Sequence, residues 1–210
     1  MNGIEQTIYD IAKALEVPVL ILAVIALALV LVELGSFLVE LFRRRGRSYT
    51  ALATATAAAD RQLTAGNAQA AKVELLATIA RNEPMALAID RVVDHAREPN
   101  ADDELSKALA DFDYGSMRRL ERTRLLVRAG PALGLMGTLI PLSPALAGLA
   151  DGDVTALSDN LQVAFSVTVL GLLVGAVAFG VSLVRDRLYG EDLSELEYVA
   201  ARLSHSKAPA

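Results

Sequence analysis

The sequence predicts an all-α integral membrane protein in which three transmembrane helices are continuous with a cytoplasmic helical bundle. Three observations carry that prediction. Apolar residues make up 53% of the 210-residue chain and aromatic residues only 5%, and the mean hydropathy is +0.40, more apolar than an ordinary soluble domain of this length. The apolar residues gather into three long runs. The basic residues flank those runs instead of forming a broad patch, so the formal charge of -5 points to topology and not to nucleic acid.

The elements follow in order. Residues 1–16 read as an external N-terminal segment. Val17 to Phe42 is the first span; it is too long for a signal-peptide apolar core and no small-residue cleavage site follows, so it reads as retained. Ala129 to Ala150 and Leu161 to Val184 are the second and third. As helices the three measure roughly 39, 33 and 36 Å at ~1.5 Å per residue, against a hydrocarbon core of ~30 Å. All three can cross.

Orientation comes from the flanks. Arg43, Arg44, Arg45 and Arg47 follow the first span, Arg118, Arg119, Arg122, Arg124 and Arg128 precede the second, and Arg185 and Arg187 follow the third. Lys and Arg beside span ends are retained on the cytoplasmic side, which places the N-terminus outside and the C-terminus inside. The connection 151–160 carries Asp151, Asp153 and Asp159 with no basic residue, as an external loop would.

Residues 43–128 form the cytoplasmic insertion. Ser48 to Thr64, Ala68 to Arg81 and Met85 to Arg97 have helical spacing and are separated by Gly66, Pro84 and Pro99. Asp102 to Arg128 reads as one helix leading into the second span, with a break at Gly115 as an option. The tail, 185–210, is a charged cytoplasmic helix with Leu193, Leu196, Val199 and Leu203 on one face. That face is expected to pack on the bundle or on a sister subunit.

Two spans carry lines of small residues. At 100° per residue, Ala164, Thr168, Gly171, Gly175, Ala178 and Ser182 fall within an arc of about 80° on the third span. On the second, Gly130, Gly134, Gly137, Pro141, Pro144 and Gly148 form a matching stripe with Thr138 at its edge. In lipid, burying leucine against leucine gains little, so close helix contact depends on small residues. Two readings stay open for Thr138 and Thr168. Each hydroxyl can bond to its own helix's carbonyl in a tight packing seam, or the pair can line a shared polar path. Pro141 and Pro144 lack backbone donors and are expected to kink or loosen the outer half of the second span.

The runs GPALGLMGTL from Gly130 to Leu139 and AFSVTVLGLL from Ala164 to Leu173 resemble the two signature segments of the MotA/TolQ/ExbB proton-channel superfamily, nearest its ExbB and TolQ branch. The segment from Arg118 to Val184 carries the motifs, and the three-span topology extends the likeness to the whole chain. The resemblance implies a subunit of an ion-driven membrane motor in a prokaryotic inner membrane. A homo-oligomer, a pentamer in that family, would surround a dimer of a single-span partner of the ExbD, TolR or MotB kind, whose membrane aspartate carries the proton. It further implies that Thr138 and Thr168 line the pore, with Gly134, Gly137, Pro141, Ala164, Gly171 and Gly175 packing around it. The chain departs from the ExbB pattern at Val163, beside Gln162, where an acid is common, at Val167, where a second threonine is frequent, and at the end of the third span.

Glu33 is the ionisable residue well inside a span. Left unpaired there it would cost ~2.5–3.5 kcal/mol. It reads equally as a membrane-embedded proton acceptor or, with Glu40, as a marker of the inner interface reached by tilt or local thinning. Other chemistry is excluded or weak. The chain has no cysteine, hence no disulfide, thiol nucleophile or thiolate-held metal. His95 and His205 lack ligand spacing, so no metal is expected; Asp102, Asp103 and Glu104 read as a helix N-terminal cluster. No phosphate loop, nucleophile triad or nucleotide fingerprint is present, so neither a cofactor nor an enzymatic reaction is expected. The alternative to a motor subunit is a non-conducting oligomeric scaffold that anchors partner proteins.

Overall fold

The computed structural model describes residues 3–44, 48–150 and 152–205; Arg45, Arg47 and Asp151, which entered the topology argument, lie outside them. Seven helices are formed among the described residues and no strand: α1 (Gly3–Ala14), α2 (Glu16–Arg43), α3 (Tyr49–Thr64), α4 (Ala68–Thr78), α5 (Glu83–His95), α6 (Ala101–Ala150) and α7 (Val154–His205). Three stretches are long and apolar enough to cross a membrane: Gly3–Arg43, Ala101–Ala150 and Val154–His205. The chain divides into two compact units, Met1–Leu38 with Glu121–Leu183, and Val39–Leu120 with Val184–Ala210. Helices α2, α6 and α7 contribute to both.

In the first unit, α2, α6 and α7 share a core of Val19, Ala26, Val30, Leu126, Leu133, Val174 and Ala178. The rest of their surface is large and apolar: Val24, Val32, Leu125, Phe165 and Val169 are each more than 60% exposed. A soluble unit would not leave such side chains in water, and a bilayer accepts them. The N-terminal segment is itself helical. Helix α1 buries none of its residues, and its Ile4, Ile8 and Ile11 are exposed.

Helix α6 continues unbroken through Gly115 and through Pro131, Pro141 and Pro144. A proline in a helix interior costs about 3 kcal/mol in water, but neighbouring helices in a membrane protein re-satisfy the backbone and tolerate it. Helix α7 starts at Val154, inside the segment expected to be loop. The reason is a compact turn. Gly152 takes a φ of 80°, its N–H reaches Leu149 O, and the N–H of Asp153 reaches Gly148 O at 2.8 Å, which closes the end of α6 as a Schellman motif. Asp153 then caps α7 by accepting from Ala156 N at 2.9 Å.

The same device recurs in the second unit. Gly66, with a φ of 77°, ends α3, the N–H of Asn67 reaches Gln62 O, and Asn67 caps α4 through Ala70 N. Asn82 caps α5 in turn, one turn before the expected start, with Pro84 in the first turn. The core here is made of large aliphatic residues, with Leu75, Met85, Ile89, Val92, Leu196, Val199 and Leu203 at 0% exposure. The apolar face of the tail thus packs on the bundle of its own chain, with Leu193 at the margin.

Candidate functional site

The two small-residue stripes face each other inside one chain. A Cβ placed on Gly130 would lie 2.6 Å from Gly171 O and 2.8 Å from Gly175 N; one on Gly171 would meet Gly134 Cα and N at 2.8 Å; one on Gly175 would meet Pro131 Cδ at 2.8 Å. One on Gly137 would overlap the side chain of Val167. Helices α6 and α7 therefore approach at backbone contact, which only glycine permits here. Gly134 is looser than these four, its Cβ position 3.4 Å from Cα of both Thr168 and Gly171. Ala164 and Ala178 are buried along the same seam, and Pro141 is buried on the α6 side.

Thr168 lies in this seam with its backbone against Gly134, Thr138 follows Gly137 at the edge of the α6 stripe, and both are half-buried. Thr138 Oγ1 donates to Leu135 O at 2.7 Å, and Thr168 Oγ1 donates to Ala164 O at 3.0 Å. The hydroxyl protons are thus engaged within each helix, which leaves oxygen lone pairs to offer. In that state a threonine can accept a hydrogen bond from a carboxylic acid. Donating to a carboxylate requires the hydroxyl to turn away from its own carbonyl. No ionisable side chain occurs in Ala129–Ala150 or Leu161–Val184.

Glu33 lies on the packed side of α2. Glu16, Val19, Ala23, Ala26, Val30, Glu33, Phe37, Glu40 and Arg44 follow one another at alternating steps of three and four, which is a single stripe of a helix. Val19, Ala23, Ala26, Val30 and Phe37 on it are buried, and Glu33 is half-buried between Val30 and Phe37. Its backbone carbonyl accepts from Ser36 Oγ at 2.9 Å.

At the far end of that stripe the second unit holds a charge cluster that the sequence did not announce. Arg44 donates to both carboxylate oxygens of Asp192 at 2.7 Å and to Glu40 at 2.9 Å. Arg185 pairs with Glu40 at 3.4 Å. The Arg44 guanidinium also stands over the Tyr189 ring, 5.9 Å from its centroid. Asp192 is fully buried and the Arg44 side chain nearly so. Burial alone would lower the Arg44 pKa, but the hydrogen bonds and charges of Asp192 and Glu40 outweigh it and hold the value above the ordinary one. Burial, with the Glu40 charge, raises the Tyr189 phenol. Arg44 and Asp192 are 148 residues apart, so no local spacing marks the pair. Only the stripe on α2 could have pointed to Arg44 and Glu40 as inward-facing.

The histidines stay apart: His95 bonds Glu98 at 2.9 Å, and His205 bonds the Ala201 carbonyl. Among the described residues, no group of three or more His, Asp or Glu side chains gathers as a metal site would.

The fold and seam define a helical membrane protein with two glycine-packed spans, each bearing a threonine. Residues 71–196 match the model of the MotA/TolQ/ExbB proton channel family. That is more than half of the chain, and the chain belongs to this family. Comparison with curated proteins and with solved structures gave no match.

Proposed function

We propose that the chain is the ring-forming subunit of an ion-driven membrane motor. Five copies would enclose a dimer of a single-span protein bearing a mid-membrane Asp, in a prokaryotic inner membrane, with the N-terminus outside and the C-terminus cytoplasmic. The observation that carries the reading is that a backbone-tight seam joins two spans with no ionisable residue, each bearing one half-buried threonine, Thr138 and Thr168. A path lined this way can hydrogen-bond a travelling carboxylic acid without titrating itself, so the proton carrier belongs to another chain. Bound inside the ring, the partner's aspartate would take and release protons, and the ring would convert that cycle into rotation or tilting. The basic flanks of the spans support the orientation.

The test is Thr168→Val, nearly isosteric, in vesicles holding the chain with its single-span partner. Assembly is expected to persist while potential-driven proton flux is lost. Unchanged flux and unchanged work in the cell would favour the non-conducting scaffold.

A further inference from the structure

We propose that Glu16 is a proton-loading group at the outer mouth of the ion path, an inference that rests on the motor reading above. Glu16 opens the buried stripe of α2 and is half-buried, although a carboxylate at a helix start can lie in open water. It lines a crevice with Val19, Gly137, Ile140, Pro141 and Val163. The crevice thus joins α2, α6 and α7, and Glu16 is the sole ionisable residue among those lining it. The space is about 10 Å³, near the lower limit for one water molecule.

The prolines of α6 supply a reason for a carboxyl here. Pro141 has no N–H for the carbonyl of Gly137, four residues earlier, and Pro144 has none for that of Ile140. Both carbonyls belong to residues that line the crevice. A carboxylic acid can donate a hydrogen bond to such a carbonyl and a carboxylate cannot, so the crevice can hold the proton-loaded form. The position also suits an entrance. Gly137 adjoins Thr138, and Val163 precedes Thr168 by five residues, about 7.5 Å of helix, on the outer side in the proposed orientation.

The step is a proton transfer. A hydronium ion from the outer solution gives its proton to one carboxylate oxygen of Glu16 and leaves as water. Release of that proton to water or to the partner's carboxylate deeper in the path restores the anion, and no electron moves.

Dicyclohexylcarbodiimide, which modifies protonated carboxyls in apolar surroundings, tests the loading directly. In native membranes containing the full complex, peptide mapping is expected to find Glu16 modified, less so as pH rises. Absence of labelling at Glu16, or labelling that ignores pH, would overturn the assignment. In vesicles, Glu16→Gln is expected to lower proton flux roughly a hundredfold. Moving the carboxyl across the crevice, with Glu16→Gln and Val163→Glu together, is expected to restore most of it. An assembled double variant without flux would mark Glu16 as structural and sink the proposal. Thr168→Val in the same vesicles separates the two readings. Loss there with normal flux in Glu16→Gln overturns only the role of Glu16, whereas normal flux in both overturns the motor reading itself.

Discussion

The two units of this chain are held together in opposite ways. In the unit of Met1–Leu38 and Glu121–Leu183, the closest contacts form where side chains are missing, at Gly130, Gly171 and Gly175. In the unit of Val39–Leu120 and Val184–Ala210, they form between large side chains such as Leu75, Ile89 and Leu203, and buried charges are admitted as pairs. The difference follows from the solvent. Lipid tails are as apolar as leucine, so a membrane unit gains by bringing backbones together for dispersion contacts. A unit in water gains by removing apolar area from it, about 25 cal/mol per Å².

The hardest blow to this contrast is aimed at the buried charges. Arg44→Ala leaves Asp192 buried without its bidentate partner and is expected to cost about 3–5 kcal/mol, read as a lower thermal midpoint by circular dichroism in detergent. Replacing Arg44 and Asp192 together by leucine is expected to recover much of that loss, because paired burial yields little net stability. Next comes the aliphatic core. Ile89→Ala, at a fully buried position, is expected to cost about 2–5 kcal/mol and to raise protease sensitivity in residues 48–120.

In the membrane unit the prediction turns on adding atoms instead of removing them. Gly171→Ala puts a methyl group 2.8 Å from the Gly134 backbone, which cannot yield as a side chain could, and is expected to cost about 1–3 kcal/mol. Gly134→Ala, with its nearest neighbours at 3.4 Å, is expected to cost less. Equal tolerance of both substitutions, in the detergent melting of the purified protein, would break the claim that this seam is set by backbone contact.

The smallest effect is electrostatic and confined to the second unit, which contains both histidines. The hydrogen bond to Glu98 raises the His95 pKa above its ordinary 6.5. The stability it contributes is therefore fully present below 6.5 and is lost as pH rises through the higher folded value. Glu98→Gln should flatten that dependence in melts taken between acid and mildly alkaline pH. The pair is exposed, so the change is slight.

Much of this architecture was legible in the residues. Run length and hydropathy marked the three spans, and the spacing of glycines marked one face on each of two of them. Several boundaries were not. The end of the apolar run at Ala150 predicts a loop over 151–160, yet Gly152 and Asp153 form a turn and cap of the same kind as Gly66 and Asn67, and α7 begins at once. Helix α1 has no counterpart among the expected elements, although Ile4, Ile8 and Ile11 have helical spacing. The threonines were legible as candidates because polar residues in apolar runs stand out. The hydrogen bonds of their hydroxyls depend on rotamers and had to be seen.

By itself, the sequence determined that the chain is helical, that three segments are apolar enough to span a membrane, and which face of two of them is small. Those properties follow from local periodicity, which any one helix carries alone. Only the tertiary structure decided which faces meet. It set the α6 stripe against the α7 stripe, brought Glu16 beside Pro141 and Val163, and joined Arg44 to Asp192 across 148 residues. A helix encodes which side it must bury, but its partner is chosen by the packing of all the helices together.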